Sequence, residues 1–149
     1  MRVQGNYGGV SVDVDFGSQA KWVFLDGDSG QGKSYLFRLL PNIATFVGIK
    51  VLVFDYKLIP GGHDPFKSMS DWVADIVCLD NADLYLTQKL LNQLSELDCQ
   101  FLVSLKDTTK FGVHNYMTGD IVYEKGVLTF KEDNWKEIMY GKDCSLFRG

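Results

Sequence analysis

Residues 22–34 read Trp22-Val23-Phe24-Leu25-Asp26-Gly27-Asp28-Ser29-Gly30-Gln31-Gly32-Lys33-Ser34. The first five are an apolar run closed by an acid, which is the pattern of a short buried strand. The last eight have the spacing G-x-x-x-x-G-K-S. The run Tyr35-Leu36-Phe37-Arg38-Leu39-Leu40 that follows has helical spacing and is closed by Pro41. A strand, a glycine-rich loop and a helix in that order make a cradle for phosphate groups. Glycines let successive backbone N–H groups turn inward around a polyphosphate, and the helix N-terminus adds the positive end of its dipole. In such a loop Gly27, Asp28, Ser29, Gly30, Gln31 and Gly32 line the phosphates, Lys33 reaches the β- and γ-phosphates, and the Ser34 hydroxyl ligates Mg²⁺.

The chain has 149 residues, 46% of them apolar, enough for one well-packed domain over 1–149 and too few for two. A net charge of −4 and a pI near 5.0 argue against nonspecific nucleic-acid binding, which needs a field of lysine and arginine. Arginine is scarce, at Arg2, Arg38 and Arg148 only. Enzymes that move phosphoryl groups commonly place guanidinium groups on the transferred phosphate. Cys78, Cys99 and Cys144 are odd in number and lack metal-type spacing, so they read as reduced thiols in a cytoplasmic protein. No cleavable leader and no apolar run approaching 18 residues is present, so neither secretion nor membrane spanning is expected.

Outward from the loop, Gly5-Asn6-Tyr7-Gly8-Gly9 is turn-like, and Val10, Val12, Val14 and Phe16 alternate with polar residues as an edge strand or hairpin arm. The helix after the loop is over by Phe46, before a second buried strand, Ile49 to Asp55, whose continuous apolar character suits a parallel sheet covered on both faces. Residues 57–69 hold Pro60, Gly61, Gly62, His63 and Pro65 and form the longest expected loop. A third strand, Asp75 to Asp80, precedes a helix from about Leu84 to Leu97, with Asp83 as its cap, and a fourth strand runs from Gln100 to Leu105. Ile121 to Glu124 and Val127 to Phe130, around Lys125-Gly126, predict a β-hairpin that closes the sheet, and Asn134 to Tyr140 a short final helix. The expected fold is α/β, a mostly parallel sheet flanked by helices, with an N-terminal edge strand and a C-terminal β-hairpin.

A phosphate-binding loop needs an acid at the end of a buried strand to hold the Mg²⁺ shell, and Asp80 at the end of Ile76-Val77-Cys78-Leu79-Asp80 meets that description. With Gly27 to Ser34 as Walker A and Ile76 to Asp80 as Walker B, the stretch from Trp22 to Lys106 resembles the P-loop NTPase superfamily. Within it the chain is most similar to the AAA+ and recombinase-like branch, which has an extra strand between those two, a place assigned here to Val51–Asp55. The resemblance implies ATP and Mg²⁺ as cofactors, with Ser34 and Asp80 at the metal and Lys33 among the catalytic residues. Members that hydrolyse ATP quickly carry Glu immediately after the Walker B Asp. This chain has Asn81, whose amide cannot accept the proton from an attacking water. Asp83 is the alternative base, and Ser104, or Lys106 beside it, stands where the branch places a polar contact to the γ-phosphate.

Other groups have plainer readings. Asp55 ends a strand on the edge where ligands collect in open α/β sheets, and it equally suits a turn before Tyr56. His63 and His114 have no ligand-spaced neighbours, so no zinc site is expected. Tyr7, Tyr56, Phe66 and Tyr116 fall in expected loops, free to stack on a base or line a partner surface. Three functions compete. The first is a Mg²⁺-dependent ATP-binding protein with slow hydrolysis. The second is a non-catalytic, nucleotide-gated regulatory protein with a protein partner of unidentified kind, such as a mobile genetic element carries. The third is a small-molecule or nucleotide kinase with Asp55 or the 57–69 loop at the acceptor, which lacks the arginine-rich lid such enzymes carry.

Overall fold

Alternation along the buried strands sorts their side chains onto two faces. The computed structural model describes residues 1–17, 19–25, 31–55, 65–107 and 110–133, the side chains of Gln31 and Pro65 excepted. In chain order its regular elements are β1 (Arg2–Tyr7), β2 (Val10–Asp15), β3 (Trp22–Leu25), α1 (Gln31–Phe46), β4 (Val51–Asp55) and β5 (Ile76–Asp80). They continue with α2 (Gln88–Leu94), β6 (Gln100–Ser104), β7 (Tyr116–Glu124) and β8 (Val127–Glu132). Val23, Leu25, Ile76, Cys78 and Leu102 meet Leu36, Phe37, Leu40 and Ile43 of α1 on one face. Trp22, Phe24, Val77, Leu79, Phe101 and Val103 meet Leu91 and Leu94 of α2 on the other. The strand expected to be covered on both faces, β4, is half-buried at every position, and the fully buried strands are β3, β5 and β6.

The strands form one sheet in the order β1-β2-β8-β7-β3-β6-β5-β4. From β7 to β4 every neighbouring pair is parallel, β2 and β8 are parallel as well, and the hairpins β1–β2 and β7–β8 are antiparallel. The result is a mixed α/β fold with a mostly parallel sheet. The strand beside β3 is β6, and β4, expected between β3 and β5, lies at the sheet edge.

Several expectations are corrected. Gly5 to Tyr7 belong to β1, and the turn is Gly8-Gly9 alone, both at positive φ (60° and 82°), as a two-residue hairpin turn requires. Pro41 lies inside α1 and does not end it. Ile43 and Ala44, both fully buried one turn later, hold the helix against the sheet despite the missing N–H. The second helix begins at Gln88, capped by Thr87 Oγ1 accepting from Leu90 N at 3.1 Å, so Asp83 caps nothing there. It sits in a 3-10 turn, Ala82–Leu84. The C-terminal hairpin starts at Tyr116, five residues early, and β7 is a central strand against β3 rather than a closing flap. Gly119 in it admits the Phe130 ring and the Lys131 carbonyl so closely that an added Cβ would lie 2.5 Å from each. Phe66 is buried, packed in an aromatic cluster with Phe54, Trp72 and Tyr85. Tyr116, 47% exposed, opens β7 and is not in a loop. The expected helix from Asn134 to Tyr140, Tyr56, His63, Cys144 and Arg148 lie outside the described residues.

Candidate functional site

Period-2 counting from the core places two polar side chains together. Cys78 and Leu102 face α1, so Asp80 and Ser104, two residues on, face the same way at the carboxyl ends of adjacent strands. Both are 6% exposed. Ser104 Oγ donates to Asp80 Oδ1 at 2.6 Å, and the Asn81 backbone N–H lies 3.1 Å from the same oxygen and 3.0 Å from Ser104 Oγ. Oδ1 is thereby tied back into the sheet. Asp80 Oδ2 points the other way and accepts from Ser34 Oγ of α1 at 3.2 Å. Residues 46 apart in sequence thus meet where the helix begins and the strand ends.

Lys33, next to Ser34 in the first turn of α1, is 8% exposed. Asp55 ends β4 in register with Asp80, which puts it on the same sheet edge. Tyr85 closes the floor from the α2 side, its hydroxyl 2.8 Å from the Asp80 carbonyl and 3.2 Å from that of Phe54. Burial first, then the charges of Asp80 and Asp55, push the Tyr85 hydroxyl far above its ordinary pKa, so it stays a donor. The same two causes, burial and then Asp80, push the Cys78 thiol up, leaving it an inert core group. Among the described residues no buried side-chain nitrogen or oxygen lacks a hydrogen-bond partner.

Asn81 has an explanation that residue type alone does not supply. Its backbone is left-handed (φ 52°, ψ 45°), a conformation Asn tolerates better than other residues with a side chain. That turn aims its N–H back at Asp80 and Ser104. Its side chain is exposed and makes no capping bond. Asp83, half-buried in the next turn, does not join the hydrogen bonds of Asp80, Ser34 and Ser104. Lys106 is exposed beyond the end of β6. Gly27, Asp28, Ser29 and Gly30 lie outside the described residues, as does the side chain of Gln31. Among the described residues no cluster of three or more His, Cys, Asp or Glu is placed to hold a metal ion, and no helix is long and apolar enough to cross a membrane. His114 is exposed.

A hollow of about 590 Å³ opens at the opposite, amino ends of the strands, against Lys21, Asp75, Cys99 and Gln100. A second, about 430 Å³, lies on the hairpin side of α1 between Gly32, Tyr35, Tyr123 and Leu128.

No protein-family model and no curated protein matches the chain. Among solved structures the fold is similar to that of a chain in a model of ribosome-bound archaeal Pelota and ABCE1, at 14% identity and a TM-score of 0.50. The match covers 97% of this chain and 36% of that one, so this chain spans about a third of its length. The likeness is one of fold.

Proposed function

We propose that the chain is a P-loop protein that binds a nucleoside triphosphate with Mg²⁺ through residues 27–34 and turns it over slowly. The observation that carries this reading is the 3.2 Å bond from Ser34 to Asp80, which brings the end of the glycine-rich motif to a buried acid on another strand. The sheet order supports it too, because β6 stands between the loop strand β3 and the acid strand β5. A strand in that place is what the resemblance to the AAA+ and recombinase-like branch implies, and here it is β6 where the sequence suggested Val51–Asp55.

A hydroxyl and a carboxylate oxygen are hard oxygen ligands of the kind Mg²⁺ takes, and here they stand 3.2 Å apart. Ser34 and Asp80 Oδ2 would hold it together with phosphate oxygens and water. When bound, Mg²⁺ supplies charge neutralisation at the phosphates. The chain's own residues do the rest. Ser104 and the Asn81 N–H fix the Asp80 carboxylate, and the Lys33 ammonium faces phosphate charge from a desolvated position. No carboxylate follows Asp80, so proton removal from water is the missing step. Binding with little cleavage also suits a nucleotide-gated interaction protein, and Leu84, 62% exposed one turn beyond Asn81, is an apolar contact at the site's rim.

Calorimetric titration with Mg²⁺-ATP is the test. Lys33→Ala is expected to weaken binding by about tenfold or more, the scale of a lost charge-assisted hydrogen bond. Unchanged affinity sinks the proposal. Phosphate release by the unaltered chain is expected below about 1 s⁻¹, under ordinary enzymatic rates. Asn81→Glu is expected to raise it by about a hundredfold, the low end of general-base contributions. Because Glu is less at ease than Asn in the left-handed region, Asn81→Gly is the matched control: it keeps the backbone and stays slow. A fast Asn81→Gly variant would contradict the assignment of position 81 to the missing base.

A further inference from the structure

We infer that the 430 Å³ cleft beside the first turn of α1 holds the nucleobase, stacked on Tyr123; this rests on the nucleotide reading above. The geometry starts from the sheet order. β3 leads into the loop, with the acid strand β5 two places to one side and the hairpin β7–β8 on the other. Ser34 turns to the β5 side, where it meets Asp80. Gly32 turns to the hairpin side, so close that an added Cβ would lie 3.3 Å from the Ile121 carbonyl. Tyr35, one helical turn on from Gly32, follows that face. The metal end of a triphosphate at Ser34 and Asp80 therefore leaves the hairpin side for its nucleoside end.

The hairpin is shaped for that role. β3 ends at Leu25, level with Gly119, while β7 runs on to Glu124. Tyr123 thus stands about 13 Å beyond the carboxyl edge, four residues at about 3.3 Å each. Alternation from Ile121 puts Tyr123 on the α1 face, directly opposite Leu128 across the hairpin. Leu128 is 2% exposed and forms the floor. Tyr35 and Tyr123, 40% and 58% exposed, form walls that the protein core does not use. The volume is within the range of small-molecule sites, about 300–1,000 Å³. Two aromatic faces over an aliphatic floor suit a flat π-system, and stacking of this kind tolerates any base.

The experiment compares Mg²⁺-ATP with Mg²⁺-tripolyphosphate, which has the phosphates and no base, by calorimetry on the unaltered chain, Tyr123→Ala, Tyr123→Phe and Lys33→Ala. Tyr123→Ala is expected to weaken ATP by about tenfold, within the range for loss of one base–aromatic stack, and to leave tripolyphosphate within about twofold. Tyr123→Phe is expected to bind both as the unaltered chain does. If Tyr123→Ala binds ATP normally, or loses both probes equally, the base site is overturned while a Lys33→Ala loss keeps the nucleotide reading intact. If Lys33→Ala binds both probes as the unaltered chain does, that reading fails and the base site with it.

Discussion

Asp80→Ala is expected to abolish the Mg²⁺-dependent part of ATP affinity, so that titrations with and without the metal coincide. The expected loss with Mg²⁺ present is about thirtyfold or more, the low end of what truncating one partner of a buried charge pair costs. The carboxylate does two jobs on its two oxygens. Oδ1 satisfies Ser104 and the Asn81 N–H, and Oδ2 faces Ser34. Alanine removes both, leaving the buried Ser104 hydroxyl without its acceptor at about 1–3 kcal/mol of stability, while the Asn81 N–H keeps Ser104 Oγ. Asp80→Asn separates them. Its amide oxygen can still accept from Ser104 and Asn81, so the urea midpoint should stay near that of the unaltered chain while the metal-dependent affinity is lost. A metal increment that survives in Asp80→Asn would remove Asp80 from the metal site.

Trp22→Ala is the substitution expected to cost the fold most, about 3–5 kcal/mol by the scale of aromatic truncations. The indole is 1% exposed, stacks on Phe101 with ring centroids 4.3 Å apart and on Phe24 at 6.1 Å, and donates from Nε1 to Ser95 Oγ at 3.0 Å. It joins β3 to β6 and to the end of α2 at once. Against a typical total of about 5–15 kcal/mol, such a loss removes a large fraction of the stability. Urea denaturation followed by circular dichroism measures it. Trp22→Phe, which keeps a ring on Phe101 and loses the Ser95 bond, should cost markedly less; equal costs would mean that the hydrogen bond, not the stack, dominates.

The loop strand, the acid strand and the helix between them are legible in the sequence because they are local. Short apolar runs identify β3, β5 and β6 as strands, whereas the cover on both faces expected of β4 is only partial at the sheet edge. Gly8-Gly9 and the glycine of Lys125-Gly126, all at positive φ, mark the hairpin turns. The second helix is less legible. Leu86, Leu90, Leu91 and Leu94 have helical spacing, yet Leu86 is buried from a non-helical segment, because the Ala82–Leu84 turn and Thr87 cap intervene. Pro41 fails as a stop signal because burial of Ile43 and Ala44 outweighs one missing hydrogen bond.

Neighbour relations were beyond local patterning. Nothing in the sequence of β4 or β6 says which lies beside β3, since both are short apolar strands, and pairing energy is collected only when distant segments meet. That choice puts Ser104 beside Asp80 on the β3 side, with Asp55 in register on the other, and Ser104 takes one oxygen of Asp80 while the other meets Ser34. The left-handed turn at Asn81 is likewise a product of assembly, formed where the backbone must leave β5 and return its N–H to Ser104. Residue types along the chain carried the chemistry of the motif and the faces of its strands. Only the packed sheet, by choosing neighbours and the height of the β7–β8 hairpin, decided which polar groups share the edge and which side of α1 carries the exposed Tyr35 and Tyr123.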